Sequence, residues 1–310
     1  MKFTHASSLA LGMLADRLIP DPQRHHPVAM FGNYAAWLEK HLYRDNKSAG
    51  VVYVAAAVIP PTLAAHWVAR RWPGPALGAA IWASLGGATL QRTAIALALS
   101  IDAGDIEGAR TWVPWLCSRD PQALDASGMV RAAVESVAEN TSDAVVAPIV
   151  WSLFGAPGVV AHRCVNTLDA MVGYHNKRYE NFGWAAAKLD DAMAWIPARL
   201  TALTHVGFAA SAGRGAEALR AWREDAPKHP SPNAGPVEAT AAAALGVQLG
   251  GDTIYEHGVE QRPRLGEGPA PSTATVRQAT RLSRMVQGIT GGIVAVVGVI
   301  GGACEARSRT

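Results

Sequence analysis

Two long stretches without a charged residue, Val51 to Ala69 and Val286 to Ala303, most constrain what this chain can fold into. Each approaches the roughly 20 apolar residues that an α-helix needs to cross the hydrocarbon core of a bilayer. In lipid every backbone N–H and C=O must be paired within the segment, which leaves the helix as the spanning form for such a pattern. His66 and the Pro60-Pro61 pair interrupt the first stretch, and membrane helices tolerate proline.

Composition agrees. Charged residues make up 17% of the chain against about 25% in soluble domains, and apolar residues 49%. The expected fold class is therefore all-α: a polytopic integral membrane protein with about five to six apolar segments, some re-entrant or broken, and polar cytoplasmic loops. Residues 1–310 read as a single membrane-embedded domain, with a long polar loop region at 214–285. A soluble, alanine-rich helical enzyme is the alternative, and run length argues against it.

The remaining apolar segments are less clean. Leu9 to Ile19 carries Asp16 and Arg17. Pro75 to Ile101 contains Gln91 and Arg92, and reads as a span ending near Leu90 followed by an interfacial stretch. Ala144 to Met171 holds GAPG at Gly155 to Gly158, the mark of two half-helices meeting at a break. Ala192 to Ala212 is interrupted by Pro197 and Arg199. Charges at these depths are either functional or, near segment ends, snorkel to the surface. The loops Asp21 to Gly50, Asp102 to Asp143 and Gly213 to Met285 hold most of the Lys and Arg outside the segments, which places them in the cytoplasm. The expected location is thus the inner (plasma) membrane, multi-pass, with the active site facing the cytoplasm. The amino terminus lacks the pattern of a cleavable signal and is expected to be retained. Cys117, Cys164 and Cys304 are too scattered for a zinc site and read as packing residues. A net charge of +3 without a basic, aromatic-interleaved stripe gives no reason to expect a nucleic-acid partner.

Function is concentrated in polar islands beside these segments. On a helix, Glu135, Glu139 and Asp143 fall at i, i+4 and i+8 and share one face. Like charges at that spacing need compensation from a bound metal, a phosphoryl substrate carried on Mg²⁺, or an arginine such as Arg131 one turn earlier; a solvated acidic face is the plain alternative. The island DRLIPDPQRHHPVAMFG concentrates Asp21, Arg24, His25 and His26 between prolines that stiffen the loop. In WREDAPKHPSPNAG, Arg223, Lys228 and His229 stand next to Ser231 and Asn233, offering cationic and hydroxyl donors to a phosphate. No P-loop pattern is present, and the glycine pairs, Gly250-Gly251 among them, read as helix-packing or turn positions.

Taken together, DPQRHHPVAMFG, RAAVESVAENTSDAVVAP, NTLDAMVGY, NFGWAAAKLDD and REDAPKHPSPNAG followed by EATAAAALGVQLGG resemble the CobD/CbiB family of cobalamin-biosynthesis membrane proteins, in order from Asp16 to about Arg284. Pro20 stands where a glycine is usual, and Pro236-Val237 replaces a bulkier Trp-Pro-like step. The resemblance implies adenosylcobinamide-phosphate synthase activity: an amide bond from adenosylcobyric acid, the corrinoid substrate, to the amine of (R)-1-amino-2-propanol phosphate or a related amino alcohol phosphate, driven by ATP with Mg²⁺. With that chemistry, Glu135, Glu139 and Asp143 are candidate Mg²⁺ ligands, with Asp190 and Asp191 as rivals. Asn140, Asn166 and Asp169 are candidates to orient amide or corrin side chains, and Lys177, Arg178, Arg223 and Lys228 to bind phosphate. His229 is the first choice for proton transfer and His26 the second, because imidazole titrates near neutral pH. The next membrane enzyme of cobalamin assembly is an expected partner. A corrinoid-binding membrane carrier or scaffold without ligase activity is the alternative, and it would bind corrinoid without consuming ATP. A regulatory relative of the kind tied to β-lactamase induction would keep the spans without needing the polar islands.

Overall fold

The computed structural model describes residues 4–19, 22, 25–255 and 258–308, with side chains described outside 252–260 and 302–308. In chain order the helices are α1 (His5–Leu18), α2 (Pro27–Leu42), α3 (Lys47–Arg71), α4 (Pro73–Ser84), α5 (Gly87–Asp102), α6 (Ile106–Trp112), α7 (Ala126–Thr141), α8 (Ala147–Trp151), α9 (Gly155–Val172), α10 (Trp184–Ser211), α11 (Gly215–Glu224), α12 (Ala234–Leu245) and α13 (Thr273–Ser308). An antiparallel hairpin, β1 (Leu249–Tyr255) and β2 (Gly258–Leu265), precedes α13. Among the described residues the fold is all-α apart from this hairpin, and three helical stretches are long and apolar enough to cross a membrane: Lys47–Arg71, Ala126–Val172 and Thr273–Gly301. The first contains the run Val51 to Ala69, and the last most of the run from Val286. Along α3, Val51, Val52, Ile59, Leu63 and Trp67 are all exposed, an apolar surface suited to lipid.

Local chemistry explains where helices begin and break. Asn46 caps α3 by accepting from the Ala49 N–H, and Asp125 caps α7 by accepting from the Gly128 N–H. Pro75 to Ile101 is not one span: Leu85 and Gly86 separate α4 from α5, five residues before the expected limit at Leu90. The break expected at GAPG is present. α8 gives way to a 3₁₀ turn, Ser152–Phe154, and Gly155, at the first position of α9, adopts φ 70°, the left-handed backbone that favours glycine. Residues 214–285, expected as a polar loop region, contain α11, α12, the hairpin and the start of α13.

The residues group into two compact units. The first comprises Met1–Leu85, Ala147–Ala194 and Thr290–Thr310. Its core gathers Ala35, Leu38, Tyr53, Ala57, Leu168, Val172, Phe182 and Ala186. Here α3 packs on the segment leading into α10 so closely that a Cβ on Gly50 would lie 2.1 Å from the Phe182 carbonyl oxygen. Asp16 is buried and Arg17 exposed. The second unit comprises Gly86–Val146 and Trp195–Ile289. In it α7 packs on α5 and α12, and the hairpin packs on α7 and α12. α12 is buried along its whole length, as its run of alanines allows.

Candidate functional site

In the second unit the acidic face of α7 meets α12 and the hairpin. Glu135 is buried, with its Oε2 bound by the Arg119 guanidinium and its Oε1 accepting the Gly250 N–H at 2.7 Å. An arginine therefore supplies the compensation, and it is Arg119 rather than Arg131. Arg131 instead donates to the Gly250 carbonyl at 2.7 Å. Gly250 is available for both bonds because the ladder is irregular between Leu249 and Gly251, where Gly250 and Gly251 have φ 77° and 85°. A bulge of this kind turns a backbone N–H out of the ladder, and only glycine takes such angles at no cost.

Glu139 lies one turn beyond Glu135 on the same face and is partly buried. The shared register does not extend to Asp143. α7 ends at Thr141, and Asp143 belongs to a π-helical turn, Ser142–Val146, which adds a residue per turn and shifts the facing. Asn140 donates to the Ser136 carbonyl and hydroxyl at 3.0 and 3.2 Å, while the Ser136 hydroxyl donates to Leu116 O at 2.6 Å. Asn140 thus helps tie α7 down.

The third carboxylate is one the sequence reading missed. Glu238, in the middle of α12, is 1% exposed, and its Oε1 has no hydrogen-bond partner among the described residues. The His229 Nε2 stands 3.8 Å from that oxygen. Because His229 Nδ1 accepts the Ser231 N–H at 3.0 Å, the neutral ring carries its proton on Nε2, toward Glu238. Burial pushes the Glu238 carboxyl well above the usual range; Glu139 and Glu135 push it the same way, opposed by Arg262 and Arg119. Burial, with help from Arg262, lowers the His229 imidazole to about 4. With Glu238 held protonated, the carboxylates of Glu135 and Glu139 face the two guanidiniums of Arg119 and Arg262, beside a neutral histidine.

The rest of the KHPSPNAG island is mostly structural. Ser231 Oγ accepts from the Asn233 and Ala234 N–H groups at the start of α12, and Asn233 Oδ1 accepts from Arg199. Lys228 pairs with Asp225 at 2.8 Å, and Arg223 is exposed near the end of α11. Between the amino-terminal turn of α7 and the hairpin lies a pocket of about 670 Å³, lined by Arg131, Arg262 and Arg264 with Gln248, Gln261 and Gly251. No motif in the sequence singled it out.

The first unit holds the other predicted residues. Asn166 accepts from Arg163 at 3.1 Å and donates to Asp190 Oδ1 at 3.4 Å. Burial raises the Asp190 carboxyl, and Asp169 raises it further. Asp191 is held by Lys188 at 3.2 Å. Arg178 bonds Glu39 at 2.9 Å and lies over the Tyr43 ring, and Lys177 is exposed. His26 caps α2 through Nδ1, which accepts the Val28 N–H. Asp21 and Arg24 lie outside the described residues, as does the Cys304 side chain.

Among the described residues, no group of three or more His, Cys, Asp or Glu side chains is arranged to enclose a metal ion. Mg²⁺ does not require such a cage: it usually takes one or two carboxylates, with waters and substrate phosphates completing its shell. Glu139, beside the orphaned Glu238 oxygen, fits that need, whereas both oxygens of Glu135 are already engaged.

Residues 9–283 match the family described as CobD/Cbib protein. A cobalamin biosynthesis protein CobD of Mycobacterium tuberculosis is 48% identical over 292 residues, covering 92% of this chain and 93% of that protein. Those of Stutzerimonas stutzeri and Rhodobacter capsulatus are 45% and 40% identical, over 87% and 89% of this chain and 90% and 89% of theirs. No solved structure matches.

Proposed function

The chain belongs to the CobD/CbiB family of cobalamin-biosynthesis proteins, and from that premise we propose that it is an adenosylcobinamide-phosphate synthase. In this reading it joins adenosylcobyric acid to (R)-1-amino-2-propanol phosphate, or a related amino alcohol phosphate, at the expense of ATP. The observation that carries it is the cluster of Glu135, Glu139 and Glu238 facing Arg119 and Arg262, with a protonated buried carboxyl at Glu238 and an arginine-lined pocket beside it. Such a site suits a reaction that brings together phosphates and an ammonium group.

A carboxylate is a poor acyl donor, so one propionate oxygen first attacks the γ-phosphorus of ATP, giving an acyl phosphate and ADP. The amine nitrogen then attacks the acyl carbon, the C–O bond to phosphate breaks, and the amide and inorganic phosphate leave. The protons shed by the ammonium group go to the His229–Glu238 pair, with the excess passing to water. Held protonated by burial and by its carboxylate neighbours, Glu238 gives its proton to water once a cationic substrate group stands beside it, and His229 Nε2–H then orients it. Arg119 fixes Glu135, and through it the Gly250 turn, while Arg262 offers charge to the transferring group. When bound, Mg²⁺ neutralises phosphate charge; Glu139 would hold it here, leaving Glu238 to the proton, with Asp190 and Asp191 as the alternative set.

The reading places the protein in the inner (plasma) membrane, multi-pass, with this site toward the cytoplasm where ATP is found. The Lys and Arg of the loops support that orientation. Hand-over of an amphipathic corrinoid to the next membrane enzyme of the pathway gives the location a purpose. Incubation of the detergent-solubilised protein with both substrates, ATP and Mg²⁺ should give an ATP-dependent mass increase of one amide linkage. Corrinoid binding without product would instead favour a carrier.

A further inference from the structure

The pocket between α7 and the hairpin has a composition that the carboxylate cluster does not explain. Among the described residues, Arg131, Arg262 and Arg264 line it with one carboxylate, Asp125, whose side chain is already occupied in capping α7. The other named polar groups, Gln248 and Gln261, are neutral and carry both donors and acceptors. Arg131 is held to the wall by its bond to the Gly250 carbonyl, so its guanidinium is ordered before any ligand arrives. Arg264 is exposed and has no carboxylate partner among the described residues. The amino-terminal turn of α7 contributes the positive end of its dipole.

We infer that this pocket binds the phosphate of a phosphate ester, through Arg131 and Arg264 with Arg262 shared with the buried carboxylates. Guanidinium groups are the side chains best matched to phosphate oxygens, and Arg264 stands exposed in the lining, placed to take one. At about 670 Å³ the cavity lies within the roughly 300–1,000 Å³ range that encloses a drug-sized ligand, so the ester carries more than phosphate alone. Two esters have this chemistry, the triphosphate of ATP and the monoester of the amino alcohol, and the assignment rests on the ligase reading for their identity. Arg262 links pocket and cluster: it lines the first and acts electrostatically on Glu238 and His229 in the second.

The test is equilibrium binding of ATP and, separately, of 1-amino-2-propanol phosphate to the solubilised full chain and to its Arg264→Gln and Arg131→Gln variants. Arg264→Gln is the primary variant, since an exposed side chain can be changed without disturbing the fold; Arg131→Gln also removes the bond to Gly250. One of the two ligands is expected to bind about ten- to a hundredfold more weakly to Arg264→Gln, and the affected arm identifies the ester. Unchanged affinity for both ligands in Arg264→Gln, or failure of the unmodified protein to bind either, overturns the inference. The two readings fail separately. Product formation with unchanged affinities removes the pocket assignment alone, and weakened binding in a protein that forms no amide removes the ligase alone.

Discussion

The Arg119 guanidinium meets the Glu135 carboxylate with their side chains only 4% and 3% exposed, and the other Glu135 oxygen accepts the Gly250 N–H. Removing one partner from a buried ion pair strands the other without water, typically at about 3–5 kcal/mol. Arg119→Met and Glu135→Leu should therefore each lower the melting temperature in detergent clearly, and the double variant should lower it by less than the sum of the two. Additive losses would show that the pair is not coupled.

Glu135→Ala should also abolish product formation, because the Gly250 turn and its arginines lose their anchor. The protein should still reach the membrane, as the apolar helices are untouched; membrane fractionation alongside the assay checks both. Normal turnover in this variant would remove Glu135 from the site.

Glu238→Gln keeps the shape of a carboxyl group that its surroundings already hold neutral, so melting should shift by only a few degrees. Turnover should fall by about 10²–10⁴-fold if Glu238 takes the amine proton. A variant as active as the parent would move proton transfer elsewhere.

Gly250→Ala places a Cβ about 1.9 Å from the Pro263 carbonyl oxygen at φ 77°. The positive φ alone costs roughly 1–3 kcal/mol, and the collision forces the bulge to move. Loss of both stability and activity is expected, whereas Gly288→Ala, at a helical position with open space around the added methyl, should leave both intact.

Acid should act through His229. Its imidazole titrates near 6.5 when unfolded and near 4 in the fold, so between those values the unfolded chain binds more protons. The contribution is fully present above about 6.5 and is lost as pH falls toward 4, a span worth about 3 kcal/mol. Glu238 works the other way. Its raised carboxyl stabilises the fold at low pH, and that contribution is lost as pH rises through its folded value. Melting profiles from pH 4 to 7 should therefore be less acid-sensitive in His229→Gln and more acid-sensitive in Glu238→Gln. The same profile in all three proteins would contradict these environments.

The helices were legible because uncharged runs and helix breaks are local signals: Val51 to Ala69 and Val286 to Ala303 lie within α3 and α13, and GAPG marks a break. The site was legible only in part. Glu135 and Glu139 announced themselves by their spacing, and KHPSPNAG by its density of polar groups. Arg119 carries no comparable signal, since it sits in a loop and meets Glu135 only through tertiary folding. Glu238 did leave one, a lone carboxylate inside GPVEATAAAAL, where burial along the whole helix was foreseeable from the alanines. The hairpin was hidden because Gly250-Gly251 reads equally well as a helix-packing pair. The π-helical turn that moves Asp143 off the face has no spacing signature.

The most direct test uses adenosylcobyric acid labelled with ¹⁸O in its free carboxylate, incubated with the solubilised protein, ATP, Mg²⁺ and aminopropanol phosphate. Carboxylate attack on the γ-phosphorus carries one labelled oxygen into phosphate and leaves the other in the amide. The expected result is adenosylcobinamide phosphate together with singly labelled inorganic phosphate. Bound corrinoid without product, or product accompanied by unlabelled phosphate, would contradict activation of the carboxylate by ATP at this site.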